Sequence, residues 1–243
     1  MDSPKLTTAA LHPDRIRTSS IDFWLARGAI ACVAGLQLLV VNDLSLGPRW
    51  LAPALELALL MPLSAATAWN QDRARQATTD AHWASVRRRH RLIRRAATVL
   101  TALVTVANTT SLAALVHALL QGKAGTGPTL LLDALNIWGT NVIVFALWFW
   151  TTDRGGAALR GHPEAGGPDF LFPQMTLNPQ EAQAHFLPGF VDYLFLAFTN
   201  ATAFSPTDTL PLTARAKLLM MAEALISLLT VALVAARAVN ILA

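Results

Sequence analysis

The chain has 243 residues, of which 53% are hydrophobic and 14% are charged, with 19 Lys and Arg against 15 Asp and Glu. A soluble domain carries about 25% charged residues, so this composition excludes an ordinary soluble protein and predicts an integral membrane protein. The basic residues lie beside hydrophobic segments and within no nucleic-acid-binding motif, so we expect them to set membrane topology and not to bind nucleic acid.

Several segments are long and apolar enough to cross about 30 Å of hydrocarbon as helices. In chain order they are 22–43, Trp50–Trp69, Ala96–Leu120, 130–152 and Leu218–Leu242. The first is the weakest, because Arg27 and Asp43 flank its uncharged centre. Cys32 lies within this first segment and is expected to be a small core residue. The prediction is an all-α integral membrane protein with about five transmembrane helices, in a prokaryotic inner membrane.

A basic segment, 70–95, separates the second and third spans of the N-terminal half (1–121) and contains eight arginines and no lysine. Loops rich in positive residues stay cytoplasmic, so this segment is expected to be cytoplasmic. Its densest part, RRRHRLIRR, is too highly charged to lie in lipid as a voltage sensor would, which favours a helix bound to anionic headgroups. The residues expected to face the lipid headgroups are Arg87, Arg88, Arg89, Arg91, Arg94 and Arg95.

The second half, 128–243, has the layout of a separate module. Its predicted parts are an outer helix 130–152, a Gly- and Pro-rich loop 153–188, a short apolar helix 189–203, a loop 204–213 and an inner helix 218–242. The short helix cannot cross a bilayer, and a Ser-Pro break follows it. This combination predicts a re-entrant helix that enters the membrane only part of the way.

The spacing around Asp208 matches a known pore pattern. In potassium channels the Asp that ends the TVGYGD-type filter is followed by Pro, Thr and Glu after three, five and fifteen residues, and here Pro211, Thr213 and Glu223 stand at those offsets. Upstream matches in the pore helix are Phe198, Thr199 and Thr202. The segment 189–242 therefore resembles the pore domain of the potassium-channel-like (voltage-gated-like) superfamily. The layout also resembles that of uncharacterised bacterial membrane proteins with four helices before such an element.

The resemblance implies a homotetramer with monovalent cations as partners, but the filter itself departs from the pattern. Ser205 and Thr207 replace the two glycines that let carbonyls line the axis at φ > 0, and Pro206 replaces the Tyr. Because Pro has a fixed φ and Thr rarely takes positive φ, a carbonyl-lined filter is not expected. The predicted loop has hydroxyl groups along the pore and a carboxylate at its mouth. Its residues are Thr202, Ala203, Phe204, Ser205, Pro206, Thr207 and Asp208.

Charged and polar residues within the spans are further candidates, because each buried charge costs roughly 2.5–3.5 kcal/mol on insertion scales. Glu223 of the inner helix is expected to hydrogen-bond to the pore-helix region and not to touch an ion. Ser227 replaces the hinge glycine of that helix, which predicts a stiffer gate. For Glu56 an interfacial position and a buried polar contact remain open, whereas Asp133 is expected at the interface.

Two arguments about orientation conflict. With five crossings and a cytoplasmic N-terminus, sixteen of the 19 Lys and Arg residues lie inside, four of them in 153–217. The positive-inside rule therefore places the 153–217 segment in the cytoplasm. Potassium channels present their filter to the outside, so either the pore element is inverted, which the charges favour, or one span is miscounted.

The predicted function is weakly selective cation conduction, if the protein conducts. The alternative is a non-conducting membrane scaffold or sensor that keeps the pore fold. The sequence contains no HExxH, GxSxG, P-loop or GxGxxG motif, so neither enzyme activity nor a cofactor is expected. His82 and His90 have no carboxylate or Cys to complete a metal site, and no metal is expected.

Overall fold

The computed structural model describes residues 20–39, 80–122, 127–156, 166–177, 186–202 and 208–242. The second predicted span, Trp50–Trp69, and the predicted filter residues 203–207 lie outside these residues. The backbone of Arg87, Arg88 and Arg89 is described, but their side chains are not.

The described residues are mostly helical, which confirms the all-α prediction. The helices are α1 (Ser20–Leu39), α2 (Asp80–Leu120), α3 (Gly127–Thr152), α4 (Phe190–Thr202) and α5 (Ala214–Leu242). Two short strands, β1 (Phe170–Leu171) and β2 (Leu210–Pro211), pair antiparallel, with Phe170 opposite Pro211. Short 3-10 turns at Asp153–Gly155 and Pro173–Met175 flank β1 in the sequence.

Among the described residues, three helical segments are long and apolar enough to cross a membrane, which points to an integral membrane protein. They are Arg91–Leu120, Gly127–Gly155 and Ala214–Ala236. The apolar part of α1, Trp24–Gly35, is shorter than these. The total of about five spans therefore stays a prediction.

Local sequence explains where the helices begin and end. The hydroxyl of Thr213 accepts a hydrogen bond from the N–H of Ala216 at 3.2 Å, so it caps α5, which begins four residues before the predicted inner helix. Gly122 follows α2 with φ of 68°, the left-handed conformation that commonly terminates helices. At the start of α2, 80–95 is helical and continuous with the third predicted span.

The central helix is α3, which packs against α1, α2, α4 and α5. Its aromatic residues form the main core together with rings from β1 and α4: Phe149 lies 5.1 Å from Phe170, and Trp150 lies 5.7 Å from Phe190, both measured between ring centroids. A second core joins α2, α3 and α5 through residues such as Leu115 and Ile137. These contacts pack α4 and α5 against α3.

Cys32 was expected in the core, and that prediction is wrong. The structure places Cys32 on the exposed side of α1, while its neighbours Val33 and Ala34 are buried. Val33 packs with Leu100 of α2 and Val144 of α3. An apolar run does not reveal which face of its helix is buried when all faces are apolar, and α1 has such a run around Cys32.

Candidate functional site

The first turn of α4 is fixed at the end of the bundle where α3 terminates, which we call the loop end. The N–H of Phe190 donates to Asp22 of α1 at 3.0 Å, and the N–H of Gly189 donates to the carboxylate of Asp192 at 2.7 Å. These two bonds satisfy N–H groups that would otherwise lack partners at a helix start. The hydroxyl of Tyr193, fully buried, donates to Asp153 just beyond α3.

The far end of α4 lies beside the middle of its neighbours. Phe198 contacts Trp138 of α3 edge-to-face at 5.7 Å, and Asn200 donates from its side-chain amide to the carbonyl of Met220 at 2.9 Å. Asn200 is ten residues into α4, which at 1.5 Å per residue corresponds to a depth of about 15 Å from the loop end. Glu223 of α5 lies nine residues into its own helix, at a similar depth of about 14 Å.

After α4 the described chain resumes at the loop end. β2 pairs with β1, and the N–H of Leu212 donates to the carbonyl of Asp169 at 2.8 Å. Asp169 in turn is bound to Asp153 at the end of α3, since its N–H donates to that carboxylate at 2.7 Å. Helix α4 and the strand that follows it are thus both attached to the same end of α3.

A buried carboxylate organises this end. One oxygen of Asp169 accepts the hydroxyl of Thr213 at 2.6 Å, and the other accepts the guanidinium of Arg215. Arg215 also donates to the carbonyl of Thr152 at 3.0 Å. Charge-assisted bonds of this kind are the stronger hydrogen bonds in proteins. Asp169 therefore connects the end of α3, the two-stranded sheet and the start of α5.

The turn that leaves α3 has an unusual backbone. Arg154, Gly155 and Gly156 all have positive φ, at 53°, 78° and 101°. A Cβ on Gly156 would lie 3.0 Å from the carbonyl oxygen of Thr151, so glycine fits this close approach. Arg94 of α2 donates to the carbonyl of Gly155 at 3.3 Å and joins α2 to the same turn.

In the interior, three helices share a cluster of polar side chains. Glu223 is 0% exposed, and its Oε2 accepts the side-chain amide of Asn200 at 2.7 Å. Asn141 of α3 donates to the main-chain carbonyl of Glu223 at 3.1 Å and to the hydroxyl of Ser227 at 2.8 Å. We call Asn141, Asn200, Glu223 and Ser227 the interior polar cluster. Its bonds join α3, α4 and α5 at one depth.

Most of the basic residues in the described part of the chain lie at the loop end. Arg91, Arg94 and Arg95 of α2 are exposed, and the exposed residues Arg215 and Lys217 begin α5. At the opposite end of the described bundle, α2 ends at the exposed residue Leu120, and the exposed residue Gln121 follows it. The arrangement gives the loop end the higher density of positive charge among the described residues.

Of the predicted filter-like residues, the structure describes Thr202, at the end of α4, and Asp208, exposed shortly before β2. Both predicted inner-helix residues, Glu223 and Ser227, belong to the interior polar cluster. The sequence reasoning did not identify Asn200, Tyr193, Asp153 or Asp169 as important. A signal existed for Asn200, since it is the polar amide of an otherwise apolar helix face, whereas nothing local indicates that Asp169 and Arg215 pair across 46 residues.

Asp133 was expected at the membrane interface. It lies six residues into α3 and is 5% exposed, so α3 buries it against other parts of the protein.

Comparison of the chain with protein-family models, with curated proteins and with solved structures finds no match.

Proposed function

We propose that the protein is a channel-like membrane protein in which α4 and the segment after it form a re-entrant pore element. The observation that carries this proposal is that α4 and β2, which lie on either side of the predicted filter, are both attached to the end of α3. With 13 residues α4 is about 20 Å long, shorter than the ~30 Å hydrocarbon core of a bilayer. The residues 203–209 could span up to about 25 Å when extended, enough to return from the tip of α4.

The proposed activity is weakly selective cation conduction by a homotetramer. The hydroxyl groups of Thr202, Ser205 and Thr207 would line the pore, and Asp208 would form a ring of carboxylates at its mouth that attracts cations. The exposed position of Asp208, next to the attached strand β2, supports this role. The missing glycines predict poor discrimination between K⁺ and Na⁺.

Conduction is testable by recording currents from the purified protein in planar bilayers. We expect cation currents whose K⁺ over Na⁺ preference stays below about tenfold, equivalent to ~1.4 kcal/mol. Asp208→Asn should lower the current, while Asp192→Asn, a change of the same charge at the base of α4, should leave selectivity unchanged. Complete absence of current across ionic gradients, voltages and pH values would favour the non-conducting scaffold or sensor instead.

The proposal includes an orientation with the loop end in the cytoplasm, because the exposed arginines and Lys217 lie there. On this side Arg91, Arg94 and Arg95 would contact anionic headgroups. In a Cys32→Ala background, a cysteine replacing Gly166 should resist a membrane-impermeant thiol reagent added to intact cells. A cysteine replacing Gln121 should react. Both residues are exposed in the structure, so burial within the chain does not account for the difference.

The opposite labelling result, with reaction at 166 and protection at 121, would place the pore element outside, as in potassium channels. It would contradict the charge argument without affecting the re-entrant geometry. Permeabilised cells provide the control, since both cysteines should then react.

A further inference from the structure

The carboxylate of Glu223 has one oxygen unaccounted for. Its Oε2 accepts the amide of Asn200, whereas its Oε1 is buried and has no hydrogen-bond partner. A buried charged group that is neither paired nor fully hydrogen-bonded is costly, by several kcal/mol per ion even after relaxation. A proton or a cation at Oε1 would remove this cost.

Side chains of the described helices around Glu223 do not supply a positive charge. The sequences of α3 and α4 contain no Lys, Arg or His, and the 96–120 part of α2 contains only His117, which is exposed near the opposite end. On α5 itself, Arg215 is bound to Asp169, Lys217 is exposed six residues before Glu223, and Arg237 is fourteen residues beyond it. The interior polar cluster thus carries one acidic group and no basic one.

The charges around Glu223 also limit the valence of an ion that could neutralise its carboxylate. The other acidic residues of the neighbouring helices, Asp133 on α3 and Asp192 on α4, are each eight residues from the cluster residue of their own helix, about 12 Å along the axis. A single carboxylate is neutralised by one positive charge, and a divalent ion would leave an excess charge in a low-dielectric interior. Ser227, one turn from Glu223 along α5, also carries a hard oxygen, which accepts the amide of Asn141.

We infer that the interior polar cluster is a binding site for a monovalent cation, with Oε1 of Glu223 as its principal ligand. The site lies between α3, α4 and α5, at about half the depth of a bilayer. Ion occupancy there stabilises the packing of α4 against α5. The inference does not require conduction, because a protein that passes no current can still bind an ion at Glu223, so the two proposals fail separately.

The test is the thermal unfolding midpoint of purified protein in detergent, measured with NaCl, KCl or N-methyl-D-glucamine chloride at equal ionic strength. A ligand that binds the native state raises stability with its concentration, so the wild-type midpoint should increase with Na⁺ or K⁺ relative to the large organic cation. Glu223→Gln keeps the acceptor for Asn200 but removes the charge, and should weaken the apparent affinity at least ~10-fold.

Asp133→Asn is the matched control, since it removes one buried acidic group from α3, and it should retain the ion dependence. Equal wild-type midpoints in all salts would overturn the proposal, and so would an unchanged ion dependence in Glu223→Gln. A midpoint that responds to pH but to no metal ion would show that a proton compensates Oε1, which also refutes the cation site. If Glu223→Gln does not fold, saturable binding of ²²Na⁺ to the wild-type protein, displaced by K⁺ but not by the organic cation, decides the question.

Discussion

Helices α3 and α5 can both cross a membrane, yet they are buried to very different degrees. In the most apolar stretch of each helix, 61% is buried within the chain for α3 but only 17% for α5. α3 has neighbours around most of its circumference, whereas α5 buries mainly the line that carries Glu223, Ser227 and Thr230. The comparison teaches that α3 organises the single chain, while α5 contributes its polar line to the interior and leaves an apolar face outside.

The outer face of α5 has a regular spacing. Four of the large exposed residues that the structure describes on α5 recur at intervals of three and four positions, the spacing of a helix–helix seam: Leu218, Met221, Leu225 and Leu228. In a membrane, lipid covers such a face as well as another helix would, because lipid tails are as apolar as leucine. A homotetramer assembled through α5 is therefore a proposal that mutations on the two faces can test.

The largest expected effect is in the core of α3. Phe149 is 0% exposed and contacts Phe145 and Phe170, so Phe149→Ala should cost about 3–5 kcal/mol of stability through lost burial and a cavity. Leu225→Ala on the outer face of α5 should cost less than about 1 kcal/mol if lipid or detergent covers that face. Denaturant titration in detergent, followed by the fluorescence of the tryptophans, measures both.

An equally large loss for Leu225→Ala would break the comparison. It would mean that a second copy buries the outer face of α5, and cross-linking of the wild-type protein should then give a defined oligomer that the variant loses. A small loss of stability in Leu225→Ala, together with a wild-type protein that is monomeric and still conducts, would argue against the tetramer.

The sequence predicted the described helices of the second half to within four residues, because helix formation in a membrane depends mainly on local composition. The short helix was predicted as 189–203 and is observed as 190–202, and the outer helix differs only in beginning at 127. Burial was harder to predict, as Cys32 demonstrates. Where every face of a helix is apolar, periodicity does not distinguish the face that packs on protein from the face that meets lipid.

Some residues of the candidate site could be identified from the sequence, whereas the contacts between them could not. Glu223 could be identified from the sequence because a charge inside an apolar span is costly and therefore conspicuous. Its partner Asn200 lies 23 residues away on another helix, and Asn141 lies 82 residues away. Such pairings depend on how α3, α4 and α5 pack, which the spacing of residues along one helix does not specify.

Effects smaller than the loss of the Phe149 ring are expected for the bonds between α3 and the polar line of α5. Asn141→Ala removes both bonds to α5 and leaves the hydroxyl of Ser227 without this donor, so it should cost about 1–3 kcal/mol. Ser227→Ala removes one of the two bonds and leaves Asn141 bound to the carbonyl of Glu223, so about 0.5–1.5 kcal/mol should be lost. Denaturant titration of the two single variants and the double variant measures this difference. Because the two residues share one bond, the double variant should cost less than the sum of the single losses. Strict additivity would show that the bond between Asn141 and Ser227 contributes nothing, and that Asn141 stabilises the contact with α5 only through the main-chain carbonyl of Glu223.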